Sequence, residues 1–275
     1  MLLRSIRATA LMATLLPVAG AAAQDLSRYP DWKGQWERIG DARWDIGKPR
    51  LAQDAPLTAE YEARLKASIA EQIAGGPGND LMYKCIPPGM PRMMLGYNPL
   101  EFVVTRSLTY VALEHMGQVR RIFTDGRDWP SAIEPTYVGY SIGSWIGAHG
   151  SGRYDALTVE TRGLKGPRAF DSSGLPLHDD GETIVKETIH LDAADTDVLR
   201  DDITTFDHAL TRPWTVTRSF RRAKAPVWVE HVCAADNHHV ELNNENYFLN
   251  ADGRLMPTKR DQPPPDLRYF ARPPN

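Results

Sequence analysis

From residue 101 onward the chain breaks into short runs of alternating apolar and polar residues, with turn signals at close intervals. A strand and turn every 8–12 residues or so specifies an antiparallel sheet system. The strand-like runs are Glu101–Thr105, Thr109–His115, Gln118–Thr124, Tyr137–Ile146, Ala156–Arg162, Thr183–Leu191, Val198–Phe206, Trp214–Arg221 and Val227–Cys233. Met116-Gly117, Asp125-Gly126-Arg127, Asp192–Thr196 and Ala223–Pro226 supply turns between them. The expected fold is mainly β, an antiparallel β-barrel or sandwich. No strand–helix alternation supports a doubly wound sheet, and no internal repeat supports a propeller or solenoid.

Upstream of the strands one helix is predicted over Thr58–Ala74. Thr58 can cap it, Glu60 and Glu62 lie at the positive end of its dipole, and Leu65, Ile69 and Ile73 draw an apolar stripe. Gly75-Gly76-Pro77-Gly78 ends it. The three prolines in Cys85–Met94 forbid a central strand or helix there. Gly163–Asp180 is a long irregular segment, a length that in compact domains tends to mark a lid or binding loop. The expected organisation is a signal peptide at 1–23, an N-terminal strand and helix segment at 24–80 and an antiparallel β domain at 81–261. A tail at 262–275 with five prolines completes it.

The first 23 residues have the three parts of a secretory signal: Arg4 and Arg7, an apolar stretch from Ala8 to Ala19, and Ala21-Ala22-Ala23 before Gln24. The apolar run is short for a bilayer span, which needs about 20 residues. The predicted location is periplasmic or secreted, with no membrane span in the mature chain. Removing the signal takes two arginines and no acid, so the remainder carries 30 − 35 = −5 formal charges. Nucleic acid is therefore not an expected partner, because phosphate binding needs a basic surface. Cys85 and Cys233 are the only cysteines. In an oxidising compartment they can close a disulfide, the alternative being two separate buried thiols. The oligomeric state is not legible.

Several stretches resemble a large family of exported bacterial proteins, most of them uncharacterised. The matching residues are Cys85–Arg92 (CIPPGMPR), Arg120–Arg127 (RRIFTDGR), Pro135–Trp145 (PTYVGYSIGSW), Asp155–Thr161, Thr211–Thr215 (TRPWT) and Val232-Cys233. The resemblance implies an exported β-rich fold and assigns no catalytic residues. It departs from the family pattern at residues 147–154, where a longer glycine-rich connection carries His149. Gly34-Gln35-Trp36 after Trp32 also looks like the Gly-x-Trp start of lipocalin-like barrels, which favours a barrel over a sandwich.

Alternation places Val185, Glu187 and Ile189 on one face of their strand. If that face is interior, Glu187 is a pocket carboxylate with a raised pKa and a general acid or base, or else a structural ion pair with Arg212 or Arg218. His208, beside Asp207, is a second candidate base, with Arg212 placed to steady negative charge. Trp214, Val216, Arg218 and Phe220 share a face, where the arginine needs an acidic partner. Asp125, Arg127, Tyr137 and Trp145 could line a ligand pocket, with Glu160, His178, Trp214 and Glu230 completing the candidate lining. Met90, Met93 and Met94 suit either a flexible apolar mouth or a plug. No metal motif, phosphate loop or dinucleotide fingerprint calls for a metal or cofactor. Gly139-Tyr140-Ser141-Ile142-Gly143 has nucleophile-elbow spacing but lies in a continuous strand pattern. The leading expectation is a protein that binds a small apolar or aromatic molecule inside a barrel. The alternatives are a cofactor-free lyase, isomerase or hydrolase using Glu187, His208 and Arg212, and an envelope-associated protein that uses its tail as a contact.

Overall fold

The computed structural model describes residues 26–40, 55–96, 98–147, 150, 152–233 and 238–266. The predicted signal peptide, His149 and the end of the tail lie outside the described residues. Nine strands close a barrel in sequence order. They are β1 (Gln35–Arg38), β2 (Leu100–Val104), β3 (Leu108–Leu113), β4 (Gln118–Phe123), β5 (Tyr140–Gly147), β6 (Tyr154–Arg162), β7 (Ile184–Leu191), β8 (Val198–Phe206) and β9 (Trp214–Arg222). The fold is thus mainly β and consistent with a lipocalin-like barrel, with Trp36 of the Gly-x-Trp motif fully buried on β1.

The expectation of a purely antiparallel sheet needs one correction. β4 and β5 run parallel, Ile122 opposite Ser141. Strand direction must return to itself around a closed ring, so the number of antiparallel neighbours must be even. Nine strands therefore require a parallel pair, and the other eight pairings are antiparallel. The connection that makes this possible, residues 124–139, is long and carries Pro130 and Pro135.

Strand periodicity sets the interior. Leu157, Val159 and Thr161 of β6, Val185, Glu187 and Ile189 of β7, and Leu199, Asp201, Ile203 and Thr205 of β8 are buried. One end of the barrel is closed by aromatics: Trp32 packs on Phe102 and Trp145 with ring centroids 5.3 and 5.0 Å apart, and Tyr29 meets Trp145 edge-on. The other end is closed by α1 (Ala59–Ile73), the short α2 (Arg92–Leu95) and the long 163–182 connection. Met90, Met93 and Met94 are buried in the core, so they plug the barrel rather than form a mouth. Gly89 permits that plug, because with φ +61° any Cβ would fall 2.4 Å from the Tyr137 carbonyl oxygen. The Met90 N–H donates to that same oxygen at 2.8 Å.

The helix agrees with its sequence signals except at two points. Thr58 makes no side-chain capping bond, and the buried face is Tyr61, Leu65 and Ser68. Ile73 is 66% exposed, because a strict four-residue repeat drifts off one face of a 3.6-residue helix. Val227–Cys233 is not a strand. Its backbone is taken by side chains instead: Val227 exchanges hydrogen bonds with the Gln35 amide, and the Val229 N–H donates to Glu114. The Cys85–Cys233 disulfide is formed, with Cα atoms 5.6 Å apart, and ties this segment to the first third of the chain. Beyond it β10 (His239–Leu242), β11 (Glu245–Leu249) and β12 (Leu255–Pro257) make a separate small sheet. Lys259, just after it, bridges to Glu71 of α1 and Glu245 of β11.

Candidate functional site

The most unusual chemistry is inside the barrel. Arg120 of β4 reaches across to Glu187 of β7, Nη1 to Oε1 at 2.9 Å and Nη2 to Oε2 at 2.5 Å. Both side chains are 0% exposed. Arg120 also donates from Nη2 to Thr161 Oγ1 at 2.7 Å and from Nε to Ser141 Oγ at 3.0 Å. Four of its N–H groups are thus taken by a small polar nest inside a mostly apolar wall, the arrangement a buried guanidinium needs. Ser141 is thus a structural ligand of Arg120 in mid-strand and not a nucleophile elbow.

Next to this pair sits Asp201 of β8, also fully buried. Burial and the charge of Glu187 push its carboxyl well above the ordinary aspartate value of 3.8. Two adjacent buried carboxylates cannot both ionise readily, so burial and the neighbouring Glu187 favour the protonated form of Asp201. Opposite Asp201 across the β8–β9 ladder is Arg218. Its Nη1 donates to the Thr217 carbonyl at 3.2 Å, while Nε and Nη2 are buried without a hydrogen-bond partner. Burial and the nearby Arg38 lower its pKa, against the pull of Asp171 and Asp201. The acidic partner expected for Arg218 is therefore in register but not in hydrogen-bond contact. Arg120 is matched by Glu187, whereas the charges acting on Arg218 are Arg38 on one side and Asp171 and Asp201 on the other.

A second cluster lies on the outside, at the barrel end closed by the 163–182 connection. His178, Asp180 and His208 each offer one metal-ligating atom, all within 4.8 Å of one another. The Nδ1 atoms of both histidines contact Asp180 Oδ2, at 3.1 Å for His178 and closer for His208. Asp180 raises the His208 pKa and is itself lowered, despite its own desolvation, by the Glu182 N–H and His208. Asp207, the sequence neighbour of His208, faces the other way: its Oδ1 accepts the His178 and Ala209 N–H groups at 3.0 and 2.8 Å, and its Oδ2 accepts Thr183 Oγ1 at 2.5 Å. The Arg168 guanidinium, 3.7 Å from Asp207, bonds the His178 carbonyl and Thr183. Asp207 thus orients His208 through the turn, while Asp180 is its direct partner.

The three residues expected to act together in catalysis are separated. Glu187 is sealed inside with Arg120, His208 is 69% exposed outside, and Arg212 is exposed on the β8–β9 turn. The partner of Glu187 is neither Arg212 nor Arg218, because its strand position faces β4 across the lumen. Of the expected lining, Trp214 and Trp145 do point inward, Trp214 packing on Phe170 at 4.6 Å. Glu160 faces out, held by Arg162 and Lys186, since it is out of phase with Val159. Asp125 and Arg127 pair with each other on an exposed turn, Arg127 lying 3.9 Å over the Phe123 ring. The side-chain hydrogen bonds from Arg127 hold the Asp125 carboxyl down to about 2. Tyr137 is half-buried in the connection before β5 and Glu230 is exposed beside the disulfide arm.

Arg120 and Asp201 escaped the sequence reading. The signal was present: Arg120 is in phase with Ile122, and Asp201 with Leu199 and Ile203. A third polar pair, His115 and His231, stacks at 4.3 Å beside a small cavity of about 90 Å³ lined by Met82, Pro88, Arg92 and Leu113. Burial, then His231, lower His115 to about 4. Two larger grooves, about 810 and 970 Å³, flank Tyr29–Asp31 at the aromatic end and are open to solvent. Among the described residues no helix is long and apolar enough to cross a membrane. A scan of family models and a search of curated proteins return no match for the chain.

Proposed function

We propose that this protein is an exported binding protein whose barrel interior receives the anionic end of a small molecule. One observation carries the reading: Arg218 and Asp201, opposite each other on the interior face, present buried polar atoms that no protein group satisfies. Buried polar groups are otherwise almost always paired, and those in native proteins that are not call for a specific reason. The unpartnered guanidinium N–H groups of Arg218 favour an anion, and a protonated Asp201 opposite them can donate to it as Arg218 does. The apolar body expected of the ligand has less room than the sequence suggested, because Phe170, Met90, Met93 and Met94 already fill the apolar wall. A small carboxylate with a short apolar part fits these constraints better than a large aromatic molecule. The predicted signal segment and the resemblance to exported proteins support the location, and the disulfide is compatible with an oxidising compartment.

The acid–base alternative built on Glu187, His208 and Arg212 finds no shared chamber for its groups. The test is native mass spectrometry of the full chain recovered from an oxidising compartment, with acetate and benzoate as added probes. Wild type is expected to retain an endogenous or added anion, and Arg218→Met to lose it while keeping its thermal midpoint within a few degrees. An anion bound equally by both proteins, or by neither, overturns the reading.

A further inference from the structure

We infer that His178, Asp180 and His208 form a binding site for a zinc-class divalent ion, with an open coordination position facing solvent. The inference does not depend on the barrel interior. Two imidazoles and one carboxylate are the donor set that borderline divalent ions prefer, and three protein ligands with a fourth position left to solvent is the pattern of open zinc sites. Their ligating atoms lie within 4.8 Å of one another, so small side-chain rotations bring all three to one ion.

The scaffold is built to hold this arrangement. His178 and Asp180 come from the connection that caps the barrel, and His208 comes from the β8–β9 turn. Asp207 fastens these two loops together, through the His178 N–H, the Ala209 N–H and Thr183, at the spot where the ligands meet. The Tyr61 ring of α1 lies against His178 with centroids 5.7 Å apart and limits its rotation. Glu182 adds negative charge near His208, while the charge of Asp207 is matched by Arg168. The Asp180 N–H donates to His178 Nδ1 at 3.1 Å, so an ion taking that nitrogen replaces one hydrogen bond near the surface. Ligands contributed by two loops about 30 residues apart leave no spacing motif, which is why the sequence pointed to no metal.

The experiment is isothermal titration of metal-stripped full-length protein with zinc chloride, and with cobalt(II) to read the ligand-field absorption. Wild type is expected to bind one equivalent, with a visible cobalt band. His208→Ala and Asp180→Asn each should weaken binding by more than about ten-fold and remove the band. His190→Ala, on β7 away from the cluster, should bind as wild type does. His208 is largely exposed, so its alanine variant keeps the fold, which circular dichroism checks. Absence of binding by wild type overturns the inference. So does zinc uptake that persists unchanged in both ligand variants, which would mark it as scattered binding to other histidines.

Discussion

Replacing Arg120 tests the interior most sharply. Its guanidinium makes two bonds to Glu187, one to Thr161 and one to Ser141, with both charged side chains out of water. Arg120→Met removes the one cation that, among the described residues, bonds Glu187, and leaves that carboxylate beside Asp201. Breaking a buried pair from one side costs about 3–5 kcal/mol, because the remaining charge stays uncompensated. Glu187→Gln should cost less, about 1–3 kcal/mol. The charge of Glu187 is one cause of the raised Asp201 pKa, so its removal lets Asp201 ionise and take over as counter-ion. The double variant Arg120→Met/Glu187→Gln should lose less than the two single losses together, giving a coupling of about 2 kcal/mol or more. Urea unfolding with the disulfide intact reads all four proteins. Single variants that each lose under about 1 kcal/mol, with no coupling, would show that the pair is not buried as described.

Other predictions follow from particular contacts. Cys85→Ser/Cys233→Ser opens a cross-link spanning 148 residues, which the chain-entropy model values at about 5 kcal/mol; a drop below about 1 kcal/mol in urea would contradict it. Asp201 has a folded pKa above its unfolded value of 3.8, so the stability it contributes is fully present below that pH and is lost as pH rises through the folded value. Asp201→Asn should therefore gain stability relative to wild type as pH rises from 4 to 8, and parallel pH profiles would refute this. His115 is depressed to about 4, so its contribution is present above about 6.5 and lost as pH falls toward 4. Discounted for its half-exposed surroundings this is roughly 1–2 kcal/mol, and His115→Gln should flatten the acid limb of the unfolding midpoint.

The strand system was legible because its alternation is strong where one face is buried. β7, β8 and β9 lie within a residue of their expected bounds. The parallel β4–β5 pair was not legible, since it follows from the parity of a closed ring and not from either strand's residues. Val227–Cys233 has strand-like composition but exposes Val227, Val229 and Val232, and side chains claim its backbone. Glu187 was found because it interrupts an apolar face. Its partner was missed because Arg120 sits in an Arg-Arg pair that reads as surface charge until the phase with Ile122 is followed. Asp180 had no signal at all, as its meeting with His208 is made by two loops folding over the barrel end.

The most direct measurement is infrared difference spectroscopy at neutral pH on protein carrying carbon-13-labelled aspartate carboxyls, comparing wild type with Asp201→Asn. A protonated-carboxyl band in wild type that shifts with the label and vanishes in Asp201→Asn is the predicted result, since a neutral Asp201 gives the Arg218 guanidinium opposite it no counter-charge. A wild-type spectrum without that band would mean Asp201 is ionised, and the case for an anion-receiving barrel would fall with it.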